Sequence, residues 1–221
     1  MSILVICSNI NEIKGLGKQT GTYLPEIAHP YHHFIKAGFK VTFASPNGGL
    51  CVLDEGSIKE YSDDVSKEFL QKYADLMKNT VKISSLNAKD YVAVFYPGGF
   101  APMFDLPFDE SSNLMGQHIY ENGGVVSAVC HGPVGLANIK VNGDFLVKGK
   151  VVCGFTNKEE GFTGNEKYLP FLLETKLKEN GGIFEGADLW QPNCKVDGRL
   201  VTGQNPASAN LVGEAVVKLL Q

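Results

Sequence analysis

Cys130, followed at once by His131, Gly132 and Pro133, closes the apolar run Val125-Val126-Ser127-Ala128-Val129. A thiol with an imidazole beside it, placed where a strand must turn, is equipped for nucleophilic catalysis. The β-branched run suits a strand buried on both faces of a parallel sheet. Gly132-Pro133 suits the first turn of a helix, which puts Cys130 at a helix N-terminus. There the helix dipole and free N–H groups favour thiolate over thiol. Ala128-x-Cys130-x-Gly132 also has small residues on either side of the nucleophile, as a sharp strand-to-helix elbow requires. Cys7 and Cys153 lie inside strand-like runs with no polar neighbour and read as ordinary buried cysteines.

Positioning such a nucleophile needs a sheet. Strands are predicted near Ile3 to Cys7, Lys40 to Ala44, Tyr91 to Tyr96, Val125 to Val129, Val151 to Phe155 and Leu200 to Thr202. Helices are predicted near Leu24 to Ala37, Val65 to Lys78, Leu114 to Glu121, Tyr168 to Glu179 and Ala207 to Leu220, with Gly38, Gly123 and Gly181 as C-terminal caps. The alternation predicts an α/β fold, a mostly parallel sheet sandwiched by helices. Ligands of open parallel sheets bind beyond the carboxyl ends of the strands. Pro97-Gly98-Gly99, Cys130 and the stretch from Thr156 to Glu160 should therefore converge on one site. Residues 45 to 64, rich in Gly, Asp, Glu and Ser, read as an irregular flap, and Asp197-Gly198 predicts a hairpin.

The chain of 221 residues suits one domain spanning 1–221. A net charge of −4 and the lack of a Lys/Arg cluster argue against nucleic acid and for a small-molecule ligand. No apolar run approaches the ~20 residues of a membrane span. The N-terminus has no signal-peptide pattern and reads directly as the first strand. Five cysteines without C-x-x-C or zinc-type spacing imply reduced thiols and a cytoplasmic protein.

Tyr96-Pro97-Gly98-Gly99, Ala128-Val129-Cys130-His131-Gly132-Pro133 and Gly154-Phe155-Thr156-Asn157 resemble the ThiJ/PfpI superfamily, whose fold is flavodoxin-like, of the class I glutamine-amidotransferase type. Thr20-Gly21, Glu26-Ile27-Ala28-His29-Pro30, Phe104-Asp105 and the block from Asp197 to Ser208 are similar to its heat-shock-type branch. That branch contains glutathione-independent glyoxalases (glyoxalase III, or D-lactate dehydratases) and proteins described as chaperones or deglycases. The resemblance implies a nucleophile at Cys130, a base or acid at His131, an orienting carboxylate at Glu160 and a second carboxylate at Glu26. It also implies an oxyanion hole from the N–H groups of Gly99 and His131, and a homodimer. Phe100 stands where many of the branch have a histidine, which makes the pocket wall more apolar.

The activity implied is conversion of methylglyoxal or a related 2-oxoaldehyde to a 2-hydroxy acid through a cysteine hemithioacetal, with no cofactor, metal or glutathione. An ionised Glu26 would raise the Cys130 pKa, so the two are expected to share a proton. Taken alone, Glu26 is also what a helix N-terminus after Pro25 favours, and Lys158-Glu159-Glu160 is what a solvated first turn looks like, with Glu159 competing for the role of Glu160. A cysteine hydrolase would use the same thiolate but needs an open groove. A stress chaperone or redox sensor needs no triad. His29, His32 and His33 share a helical face but read as surface or interface residues, so no metal site is expected. Gly15-Leu16-Gly17-Lys18 lacks the full phosphate-loop spacing. Trp190 reads as a pocket-rim or interface residue, and Met103 and Phe104 as core.

Overall fold

A computed structural model describes residues 1–221. Seven strands form the central sheet: β1 Ser2–Ile6, β2 Lys40–Ser45, β3 Val81–Lys82, β4 Ala93–Tyr96, β5 Val125–Val129, β6 Cys194–Asp197 and β7 Leu200–Gly203. Their order is β6-β7-β5-β4-β1-β2-β3, and only the β6–β7 hairpin is antiparallel. That hairpin turns at Gly198-Arg199, as Asp197-Gly198 predicts.

The helices are α1 Leu24–Lys36, α2 Glu55–Glu60, α3 Asp64–Lys72, α4 Glu110–Glu121, α5 Asn157–Thr163, α6 Leu173–Glu179 and α7 Ala209–Leu220. α1 packs on α3 and α7, while α4 covers β4 and β5. All residues of β4 and β5 are buried, so these strands do not alternate and are apolar on both faces apart from Ser127, whose hydroxyl donates to Val94 O at 2.9 Å. The hydrophobic core is one contiguous cluster from Ile3 to Val216. No helix is long and apolar enough to cross a membrane. The 45 to 64 stretch is irregular apart from α2, whose end sets Glu60 and Tyr61 beside Tyr23.

Several predicted elements differ. Val151 to Phe155 is not a strand of the main sheet: only Val151–Val152 is extended, paired with Ile183–Phe184 in a separate two-stranded sheet. Beyond Val152 the backbone donors go elsewhere, Cys153 N–H to the Thr202 hydroxyl (3.0 Å) and Phe155 N–H to the Cys130 carbonyl (2.8 Å). The segment thus crosses the ends of β5 and β7. The helix predicted from Tyr168 begins only at Leu173, because Pro170 holds Leu169 extended (ψ 144°). The one predicted over Val65 to Lys78 breaks at Tyr73 (φ −126°), whose ring packs on Tyr31 at 4.9 Å, and continues as a 3₁₀ turn. Gly15-Leu16-Gly17-Lys18 lies in the turn of a small hairpin, with no helix following.

Candidate active site

In register, Tyr96 pairs with Ala128 and Val129 with Gly203, so β4, β5 and β7 end at one edge of the sheet. The chain that leaves them builds the site. Cys130 sits immediately after β5 with φ +61°, in the left-handed region that costs an ordinary residue about 1–2 kcal/mol. Its N–H donates to Gly203 O at 3.0 Å and its C=O accepts from Phe155 N–H, so neighbouring elements hold the elbow in that conformation.

The turn after Cys130 is a 3₁₀ helix, Gly132–Leu136, and not the α-helix expected. Gly132 lies so close to the Tyr96 carbonyl that a Cβ there would overlap it, and Gly135 lies against the Tyr96 ring. The expectation of a lowered thiol pKa fails as well. Burial pushes the Cys130 thiol well up, and Glu26 raises it further. Only the nearby Gly99 N–H pulls it back toward the thiolate.

His131 is buried, with Nδ1 3.5 Å from Cys130 Sγ and Nε2 2.7 Å from Glu160 Oε2. With Nε2–H donating to the carboxylate, Nδ1 is left as an acceptor facing the thiol. Glu160 Oε1 accepts from the Thr163 hydroxyl at 3.0 Å, which fixes the carboxylate. Glu26, in the first turn of α1, is fully buried, and neither oxygen meets hydrogen-bond geometry with a partner. Burial holds its carboxyl well above the ordinary range, although the Cys130 thiol and the Gly98 and Gly99 amides, close by, oppose this. Tyr23 N–H donates to Gly98 O at 3.2 Å, tying the start of α1 to the glycine loop.

Gly98 permits this approach. A Cβ there would overlap Glu26 Oε2 and come within 2.7 Å of Val129 O and 2.8 Å of Cys130 Cβ. Gly98→Ala is therefore expected to cost about 2 kcal/mol or more, lowering the melting temperature by about 4–8 °C in a thermal denaturation scan. Gly99 combines φ +100° with a Cβ position blocked by the Gly21 carbonyl. The N–H groups of Gly99 and His131 donate to no backbone carbonyl, which leaves them available to a ligand oxygen.

These groups face a cavity of about 140 Å³ lined by Tyr23, Glu26, Gly99, Phe100, Cys130, His131, Phe155, Thr163, Trp190 and Pro206. Phe100 and Phe155 lie against the His131 imidazole, with ring centroids at 4.8 and 4.3 Å. Tyr23, Trp190 and Pro206 also line an outer vestibule of about 460 Å³ with Glu60, Tyr61, Asn205 and Ala207.

The pattern of the DJ-1/PfpI family matches residues 19–219. The chain belongs to the DJ-1/PfpI family. It is 38% identical to a Schizosaccharomyces pombe protein named glutathione-independent glyoxalase hsp3102, over 99% of this chain and 97% of that protein. Among solved structures it is similar to glyoxalase III from Candida albicans, at 30% identity and TM-score 0.91, covering 99% of this chain and 97% of that one. It is also similar to the Rapid Encystment Protein 24 kDa of Francisella tularensis, at 32% identity and TM-score 0.95 over the whole of both chains.

In this DJ-1/PfpI protein all six residues singled out from the sequence, Cys130, His131, Glu160, Glu26, Gly99 and Phe100, line the Cys130 cavity or bond to a residue that does. Glu159 faces the other way, closing a capping box with Thr156. Thr156-x-x-Glu159 spells that box in the sequence and is the signal that separates the two glutamates. Sequence reasoning missed Tyr23, Thr163 and Pro206 as lining residues, and Gln204 and Asn205 beside the site. His29, His32 and His33 pair with three different carboxylates, Asp63 (3.2 Å), Glu68 (3.9 Å) and Glu214 (3.9 Å).

Proposed function

We propose that this protein is a glutathione-independent glyoxalase that converts methylglyoxal or a similar small 2-oxoaldehyde into the 2-hydroxy acid, D-lactate from methylglyoxal, with Cys130 as nucleophile. One constellation supports this: His131 Nδ1 and the buried Glu26 carboxyl both stand at the Cys130 sulfur, in a small cavity of about 140 Å³. The names borne by the relatives point the same way. A hydrolase of peptides would need a groove, and this cavity is too small for a peptide.

The reaction needs two groups that exchange protons with adjacent carbons and oxygens. His131 Nδ1 takes the thiol proton, and the thiolate adds to the aldehyde carbon. Neutral Glu26 protonates the resulting alkoxide, which the N–H groups of Gly99 and His131 stabilise as it forms. The hemithioacetal then gives its C1 proton to the Glu26 carboxylate while imidazolium protonates the C2 oxygen, leaving an enediol. Glu26 returns the proton to C2 and His131 removes the C1 hydroxyl proton, which yields the thioester. Water, deprotonated by Glu26, attacks the thioester, and His131 protonates the departing thiolate. Every group ends as it began, and methylglyoxal plus water has become lactic acid.

The test is incubation of the purified protein with methylglyoxal, without glutathione and with a chelator present, followed by a stereospecific lactate assay. Accumulating D-lactate in step with methylglyoxal loss is the expected result. Methylglyoxal that persists unchanged overturns the proposal.

A further inference from the structure

Glu159 is fully buried, lies next to the triad in sequence and takes no part in it. Its Oε1 accepts from Trp190 N–H (3.0 Å), Gln204 Nε2 (3.0 Å) and Asn205 Nδ2 (2.9 Å), and its Oε2 from Thr156 N–H (3.0 Å) and Oγ1 (2.9 Å). One carboxylate thus joins the start of α5, the exit of β7 and the loop that carries Trp190.

Trp190 is the unusual member. Its φ of +62° is a genuine outlier for a bulky side chain, a conformation that persists only where the surroundings over-determine it. The surroundings do so on both sides: Glu159 holds the Trp190 N–H, and Asn205, itself bonded to Glu159, donates to Gln191 O at 2.9 Å. Gln204 Oε1 accepts from Ala187 N–H at 2.7 Å, pinning the loop upstream. Held this way, the indole lies 5.7 Å from the Phe155 ring and forms the wall shared by the Cys130 cavity and the vestibule. An indole 47% exposed has little packing of its own to keep it there.

We propose that Glu159 is a positioning residue: by fixing the backbone of Trp190 it sets the indole as a wall of the Cys130 cavity, and so restricts that cavity to 2-oxoaldehydes with small substituents. The substrate class rests on the glyoxalase reading above; the positioning of Trp190 does not.

Trp190 is the only tryptophan in the chain, so its fluorescence reports the wall directly. Glu159→Ala removes all the contacts. Glu159→Gln is the conservative rescue on the Trp190 side: its amide oxygen still accepts from Trp190, Gln204 and Asn205, while its NH₂ meets the Thr156 hydroxyl, which can turn to accept, and only the bond from Thr156 N–H is given up. Trp190→Gly keeps the N–H to Glu159 and takes the positive φ without strain. In Glu159→Ala, red-shifted emission and stronger acrylamide quenching are expected, with Glu159→Gln near wild type. KM for methylglyoxal should rise about tenfold with kcat little changed, and the preference for methylglyoxal over phenylglyoxal should fall about tenfold in both Glu159→Ala and Trp190→Gly.

A folded Glu159→Ala with wild-type emission, quenching and KM overturns the proposal. Should Glu159→Ala not fold, Trp190→Gly decides: unchanged discrimination overturns, relaxed discrimination supports. If the wild type turns over neither aldehyde, the glyoxalase reading and the substrate restriction fail together, and the positioning of Trp190 stands or falls on the fluorescence of Glu159→Ala and Glu159→Gln.

Discussion

Cys130→Ala is expected to lower lactate formation by at least about 10⁴-fold, because every step of the reaction runs through the bond to sulfur. None of the other four thiols lines the Cys130 cavity, and burial raises the pKa of them all, Cys51 among them and Cys194 to about 11. Cys153 is pushed up to about 12 by burial and donates to the Thr202 carbonyl at 3.1 Å, and Cys7 is buried in the core. The fold should survive, since the elbow is held by backbone bonds to Gly203 and Phe155 that alanine keeps. Cys130→Gly should be as inactive but at least as heat-stable as Cys130→Ala. Glycine relieves the +61° backbone, worth about 1–2 kcal/mol, and this offsets its greater freedom in the unfolded chain. Lactate assays and thermal melts on the two variants separate the chemical role of the thiol from the strain stored in its backbone. Residual turnover above about a hundredth of wild type in Cys130→Ala would remove the thiol from the mechanism.

The elbow was legible because its determinants are local. A β-branched run, a nucleophile between small residues and a Gly-Pro stop describe β5 and its turn within a dozen residues. The other sheet strands longer than two residues announce themselves in the same way, apart from the short edge strand β6. Val151 to Phe155 carries the identical signal and still leaves the sheet, because its donors are claimed by the Thr202 hydroxyl and the Cys130 carbonyl, partners far away in sequence. Electrostatics was less legible still. The helix-dipole argument lowers the Cys130 pKa, whereas a buried thiol facing a buried carboxyl is pushed the opposite way, and only the packing reveals the depth of both. Trp190 was legible only as a pocket-rim or interface residue, and the structure puts it at the rim; nothing near position 190 in the sequence indicates that Glu159, Gln204 and Asn205 will meet there.

Convergence explains why the site tolerates so much local cost. A left-handed cysteine, a left-handed tryptophan and a buried carboxyl without a hydrogen bond each oppose folding. They lie together at one sheet edge, above a core in which β1, β4, β5 and β7 are almost wholly buried. The sheet supplies the stability, and the loops beyond it hold the chemistry in conformations that they would not adopt alone.

Glu26→Gln should move activity and stability in opposite directions. Turnover is expected to fall at least about 10²-fold, because an amide cannot carry the proton between C1 and C2. Its stability relative to the wild type should improve as pH rises, and the sign follows from linkage. Burial raises the Glu26 pKa above its unfolded value, so the folded protein binds the proton more tightly than the unfolded chain does. That contribution is fully present below the ordinary carboxyl range and is lost as pH climbs toward the raised folded value. Glutamine, uncharged throughout, has nothing to lose. The two proteins should therefore melt together near about pH 4, with Glu26→Gln melting higher by about pH 8. The Cys130 thiol, raised first by burial and next by Glu26, should also titrate lower in the variant, visible as alkylation of Cys130 that becomes fast at a lower pH. Parallel stability profiles would mean that the buried carboxyl holds no extra proton. Undiminished turnover in Glu26→Gln would leave His131 as the only proton carrier, and would require it alone to reach both carbons of the substrate.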